Sequence, residues 1–115
     1  MNATWVASTP RANPGNLPNL QIPSEAIAAF CRRNHIRRLS LFGSVLGDDF
    51  RPESDVDVLV VFQPGFVVGL RILEMEAELS ALLGGRKVDF VNEKYLNPRL
   101  RERILASAEV QYAEG

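Results

Sequence analysis

The chain has 115 residues, 46% of them hydrophobic and 23% charged, with a net charge of −1. That length suits one domain of common size. The balanced charge argues against direct nucleic-acid binding, which needs a basic face, and no apolar run approaches the roughly 18 residues of a membrane span.

Residues 1 to 22 hold Pro10, Pro14 and Pro18 among Asn2, Asn13, Asn16 and Asn19. Turn-formers at that density, without apolar periodicity, predict an irregular N-terminal arm. The domain proper is expected over residues 23–115. Ser24 is the expected N-cap of a helix, with Glu25 suited to its positive end. Ile27, Phe30 and Cys31 follow at i, i+3, i+4 and mark one apolar face. Arg32 and Arg33 suit the C-terminal end, and Asn34-His35 closes it. His35, the single histidine, reads as a helix-end residue rather than a base. Ile36 to Phe42 then reads as a strand with Ile36, Leu39, Leu41 and Phe42 buried. The polar segment from Gly47 to Pro52 loops back, with Asp48 and Asp49 solvated and Arg51 at the surface.

Asp55 to Phe62 is a second strand, apolar on both faces in its later part and so central in a covered sheet. From about Gly69 to Leu83, Ile72, Met75, Leu79, Leu82 and Leu83 recur at helical spacing, and Gly84-Gly85 ends that helix. Lys87 to Val91 reads as a third strand. Asn97-Pro98 opens a last helix as N-cap and first helical residue. Its Leu100, Ile104, Leu105 and Ala108 are expected to pack inward, and Val110 to Tyr112 to close the sheet as a short edge strand. Strands interleaved with helices give an α/β or α+β fold, one small mixed β-sheet with helices packed mainly on one face.

Chemistry concentrates in two places. Asp55 and Asp57 are spaced i, i+2, which in a strand sets both side chains on one face about 7 Å apart. Two carboxylates so close repel unless a cation lies between them. All-oxygen ligands suit Mg²⁺, which keeps some waters and takes its other ligands from substrate phosphates. Upstream, Gly43 permits close backbone approach, and a turn at Gly43-Ser44 would aim N–H groups at an anion. Asp89 is a carboxylate within an apolar strand, costly to bury unpaired. Lys87, a nearby arginine or a shared metal would each compensate it. Cys31 reads as a small core residue, and one cysteine without an internal partner fits a reducing cytoplasm.

The run Gly43-Ser44, ten residues, Asp55-Val56-Asp57 resembles the signature of the DNA polymerase β-type nucleotidyltransferase superfamily. The longer run from Leu41 to Phe62 resembles the minimal nucleotidyltransferase (MNT) proteins, the antitoxins of HEPN/MNT toxin–antitoxin pairs. The resemblance spans roughly residues 24 to 112 and implies the nucleotidyltransferase fold. It implies that Asp55, Asp57 and Asp89 are catalytic and hold two Mg²⁺ ions, and that Gly43, Ser44 and Ser54 bind the nucleotide. Val45 stands where some relatives carry an arginine. The implied activity is protein adenylylation, moving AMP from ATP to a tyrosine of a HEPN-family ribonuclease toxin. Two other readings compete with it: a nucleotidyltransferase acting on a small molecule, and a non-catalytic antitoxin acting by stoichiometric binding.

Overall fold

Proline, glycine and the short apolar runs set the boundaries of the elements. The computed structural model describes residues 16–17, 20–46 and 55–114. Most of the expected arm, with Asp48, Asp49, Arg51 and Ser54, lies outside the described residues. A short ribbon pairs β1 (Asn16–Leu17) with β2 (Leu20–Gln21) in antiparallel register. Ile22, just after it, is buried in the main core.

Helix α1 (Ser24–Arg33) buries Ile27, Phe30 and Cys31, the stripe expected from their spacing. Its start corrects the sequence reading by one position. Pro23 occupies the N-cap, its carbonyl accepts from Ile27 N–H at 2.9 Å, and Ser24 is already helical with no side-chain cap. Asn34 closes the helix by donating its side-chain amide to the Phe30 carbonyl at 2.8 Å. His35 follows at φ 59°, the left-handed position that ends many helices. Its ring stacks on Phe66 with centroids 4.5 Å apart.

Strands β3 (Ile36–Phe42), β4 (Val56–Phe62), β5 (Val88–Asn92) and β6 (Glu109–Ala113) form one mixed sheet in the order β5-β4-β3-β6. The β3–β4 and β3–β6 pairs are antiparallel, and β4–β5 is parallel. A parallel pair needs a long crossover, supplied here by helix α2 (Arg71–Leu82). Gly84 at φ 80° turns the chain out of α2, and Gly85 N–H donates back to the Ser80 carbonyl at 2.8 Å.

Period-2 alternation divides the sheet into two faces. Leu39 and Leu41 of β3, Val56, Val58 and Val60 of β4, and Val88 and Phe90 of β5 join Phe30, Met75 and Leu79 in the core under α1 and α2. Phe30 and Phe90 meet edge to face, ring centroids 6.4 Å apart. Glu76 of α2 secures the edge strand, accepting Phe90 N–H at 3.0 Å.

Helix α3 (Pro98–Ser107) starts as expected, with Asn97 Oδ1 accepting from Arg99 N–H at 2.8 Å and Pro98 at the first position. Its apolar stripe does not pack inward. Ile104 and Ala108 are half-buried, but Leu100 and Leu105 are exposed. Four charged residues, Arg99, Arg101, Glu102 and Arg103, crowd this ten-residue helix, and neither α1 nor α2 lies along its stripe.

Candidate active site

The second face of the sheet carries the acids. Register places Phe42 of β3 opposite Asp57 of β4, and Asp57 opposite Asp89 of β5. The next row on the same face is Ser40, Leu59 and Val91. Asp57 thus stands between an aromatic neighbour and a second carboxylate, with Leu59, itself buried, further along the strand. Across a parallel pair, strand spacing separates register partners by about 5 Å. Asp55 lies just before β4, exposed, with Oδ2 3.9 Å from Lys87 Nζ. Lys87 therefore reaches toward Asp55, although the sequence suggested it as a partner for Asp89. This cation beside the acids was passed over as a site residue because, in sequence, it is an ordinary strand-edge lysine.

Electrostatics reports the same grouping. The Asp57 carboxyl is raised above its ordinary 3.8, first by burial and then by the charges of Asp89 and Asp55. Two neighbours of like sign disfavour a third negative charge, and an unmet demand for positive charge remains.

Gly43 completes the arrangement from below. It opens a 3-10 turn over Gly43–Leu46, directly after β3. With φ 80°, its backbone lies so close to Asp57 that a Cβ there would overlap Oδ2 and stand 3.3 Å from Cγ. Only glycine meets both conditions. Ser44 follows Gly43 in this turn.

The donor set is consistent with Mg²⁺. Among the described residues no three acidic, histidine or cysteine side chains close into a ready-made ion cage. Mg²⁺ is seldom bound by an all-protein cage, because it retains waters and takes substrate phosphate oxygens as ligands. A strand-borne carboxylate pair with a third acid at its margin fits that habit.

An acid row at one end of a small mixed sheet, next to the turn that opens at Gly43, is the layout of a nucleotidyltransferase. The nucleotidyltransferase domain family matches residues 24–110, and the chain belongs to that family. It is an enzyme family whose substrate is a nucleotide.

Among relatives, the protein adenylyltransferase MntA of Thermococcus cleftensis is 36% identical over 72 residues, 61% of this chain and 69% of that protein. A Methanocaldococcus jannaschii protein bearing the provisional name of a protein adenylyltransferase is 33% identical over 76 residues, 66% of this chain and 80% of that one. A solved structure described provisionally as a minimal nucleotidyltransferase superposes with a TM-score of 0.63 at 40% identity, covering 74% of this chain and 85% of that one. The Shewanella oneidensis complex of a tri-AMPylated HEPN toxin with its MNT antitoxin superposes with a TM-score of 0.58 at 18% identity, covering 78% and 69%. That last likeness is one of fold.

Proposed function

We propose that this chain is a Mg²⁺-dependent protein adenylyltransferase that transfers AMP from ATP to a tyrosine of a HEPN-family ribonuclease partner. The observation that carries the reading is the register pair Asp57–Asp89, with Gly43 packed against the first of them. Two relatives above 30% identity named for this activity, and a fold shared with an antitoxin that sits on a HEPN toxin, support the choice of acceptor.

In this reading Asp55, Asp57 and Asp89 hold the metal. When bound, Mg²⁺ neutralises the triphosphate and the charge that develops on the leaving pyrophosphate. Gly43, Ser44 and Ser54 bind the phosphates through the turn after β3, where glycine allows the closest backbone approach. The acceptor phenol oxygen attacks the α-phosphorus, a new O–P bond forms, and the bond to the β-phosphate oxygen breaks to release pyrophosphate. Asp89 takes the phenolic proton. Positioning and charge neutralisation account for most of such catalysis, so the rigid strands β4 and β5 are suitable bearers.

In this reading the acceptor is a folded protein, as for the relatives named protein adenylyltransferases. Beyond the sheet, its helices and one loosely covered face, the described residues contain no second lobe to enclose a small acceptor. In this reading the chain works in the cytoplasm beside its ribonuclease partner; no described helix is long and apolar enough to cross a membrane.

The test is intact mass of the HEPN partner after incubation with this chain, ATP and Mg²⁺. An added AMP unit, lost with Asp55→Asn/Asp57→Asn and on chelation, is the expected result. A partner inhibited equally by wild type and variant without any mass change would instead make the chain a stoichiometric blocker.

A further inference from the structure

The acids occupy one end of the sheet. At the other end, past the C-termini of β4 and β5, lies a cavity of about 890 Å³ lined by Phe66, Val67, Ile72, Tyr95 and Arg101 among others. Phe62, on its wall, lies five positions along β4 from Asp57, about 16 Å at strand rise, and Phe90, also on the wall, is on the core face of the sheet, opposite to that of Asp89. The cavity is therefore not the seat of the phosphates.

Three features distinguish it. Among the described residues, two of the most exposed large apolar side chains stand on its wall, and others neighbour its lining residues in sequence. Val67 (82% exposed) and Tyr95 (77%) line it, Leu70 (84%) and Leu73 follow Val67 into the start of α2, and Leu100 precedes Arg101 on α3. Scattered exposed leucines are ordinary, whereas a group rimming a concavity marks an interaction site. The charge of the lining is one-sided. Glu93 is held by Arg38 at 2.7 Å, and Lys94 and Arg101 have no acidic partner among the described residues. Finally, Arg101 Nε is buried with no hydrogen-bond partner among the described residues, and a buried donor calls for an acceptor.

We infer that this cavity is where the protein acceptor docks, taking an apolar segment of the HEPN-family partner whose carboxylate or main-chain oxygen meets Arg101. The inference rests on the protein-adenylyltransferase reading, which is what requires a folded partner. A stable interface covers about 800 Å² on each side, with aromatic and arginine anchors at its centre. Tyr95 and Arg101, with Phe66, Val67 and Ile72 on the same wall, have that composition. A second copy of this chain fits less well, because two-fold pairing applies the same patch to itself and would bring together two surfaces whose cations, Lys94 and Arg101, are unpaired among the described residues. Docking here also leaves the acid row uncovered, so the acceptor loop and the nucleotide meet there while the body of the partner is held elsewhere.

The test uses the full chain carrying Val67→Asp/Leu70→Asp, and separately Arg101→Glu. Affinity for a HEPN-family partner protein is measured by calorimetry, and affinity for a fluorescent ATP analogue with Mg²⁺ by titration. Both variants should raise the partner Kd at least about tenfold, slow labelling at low partner concentration, and leave nucleotide affinity unchanged. Variants that bind and are labelled like wild type would place the docking surface elsewhere and leave the adenylyltransferase reading standing. A wild-type chain that neither binds nor labels the partner overturns both. A wild-type chain that self-associates, with variants that are monomeric yet still bind the partner, assigns this face to a second copy and overturns the inference.

Discussion

Gly43→Ala tests the closest approach in the candidate site. Its cost has two parts that the structure separates. The backbone at φ 80° disfavours an L side chain by about 1–2 kcal/mol. For a domain of this size that alone lowers Tm by roughly 4–16 °C. The added methyl also overlaps Asp57 Oδ2. If the carboxylate stays in place, overpacking costs about 1–3 kcal/mol more. If it swings away, stability is spared but Asp57 leaves its place beside Asp89, and a misplacement of about 1 Å lowers the transfer rate about 10²-fold. A double-mutant cycle with Asp57→Ala distinguishes the two parts. Removing the carboxylate leaves only an ordinary Cβ contact at 3.5 Å, so in that background Gly43→Ala should cost only the backbone part. Urea unfolding of the four proteins gives the coupling, and AMP incorporation by Gly43→Ala gives the catalytic loss. Equal costs in both backgrounds, with full activity in Gly43→Ala, would refute the close approach. No cost in either background would refute the backbone argument as well.

Three further outcomes are expected. Asp57→Asn should raise the metal-free Tm at neutral pH, because the folded state holds this carboxyl above its ordinary range. The folded state then binds more protons than the unfolded one, so the destabilisation is present above the folded pKa and relieved as pH falls through it; melts from pH 7 to 4 should show the gap over wild type closing. Asp89→Asn should cut AMP transfer by about 10²-fold or more while leaving the melt of this exposed strand position nearly unchanged, and a stability loss with activity retained would make Asp89 structural. Glu76→Ala removes the acceptor of Phe90 N–H, should cost about 1–3 kcal/mol in urea unfolding, and should lower activity through β5, which carries Asp89.

Much of the fold was legible because apolar runs here are bounded by strong punctuation. β3 is bracketed by Asn34-His35 and Gly43, α2 by Gly69 and Gly84-Gly85, and α3 by Asn97-Pro98, so their positions came from local chemistry. The start of α1 was misplaced by one residue because Ser24 and Pro23 compete for the same boundary, and capping preference alone favours serine. α3 shows a different limit. Periodicity at Leu100, Ile104 and Leu105 gives an apolar stripe but not what covers it, and here half the stripe faces outward.

The site divides along the same line. Alternation put Asp55 beside Asp57 and set Asp89 on the face opposite Val88 and Phe90, since that depends only on period 2. What brings Asp89 beside Asp57 is the register of a parallel pair, and that register is fixed by α2 packing its Met75 and Leu79 on the core face. No feature within residues 87–91 encodes it. The cavity at the far end was less legible still, because its wall draws on the loop after β4, the turn after β5 and Arg101 of α3. Those residues read singly as loop, turn and solvated helix face. Only the fold sets the buried Arg101 Nε opposite the exposed loop carrying Val67. On the proposed reading, the two ends of one sheet divide the work of a single transfer, phosphate chemistry at the mouths of β4 and β5 and recognition of the acceptor at their far ends.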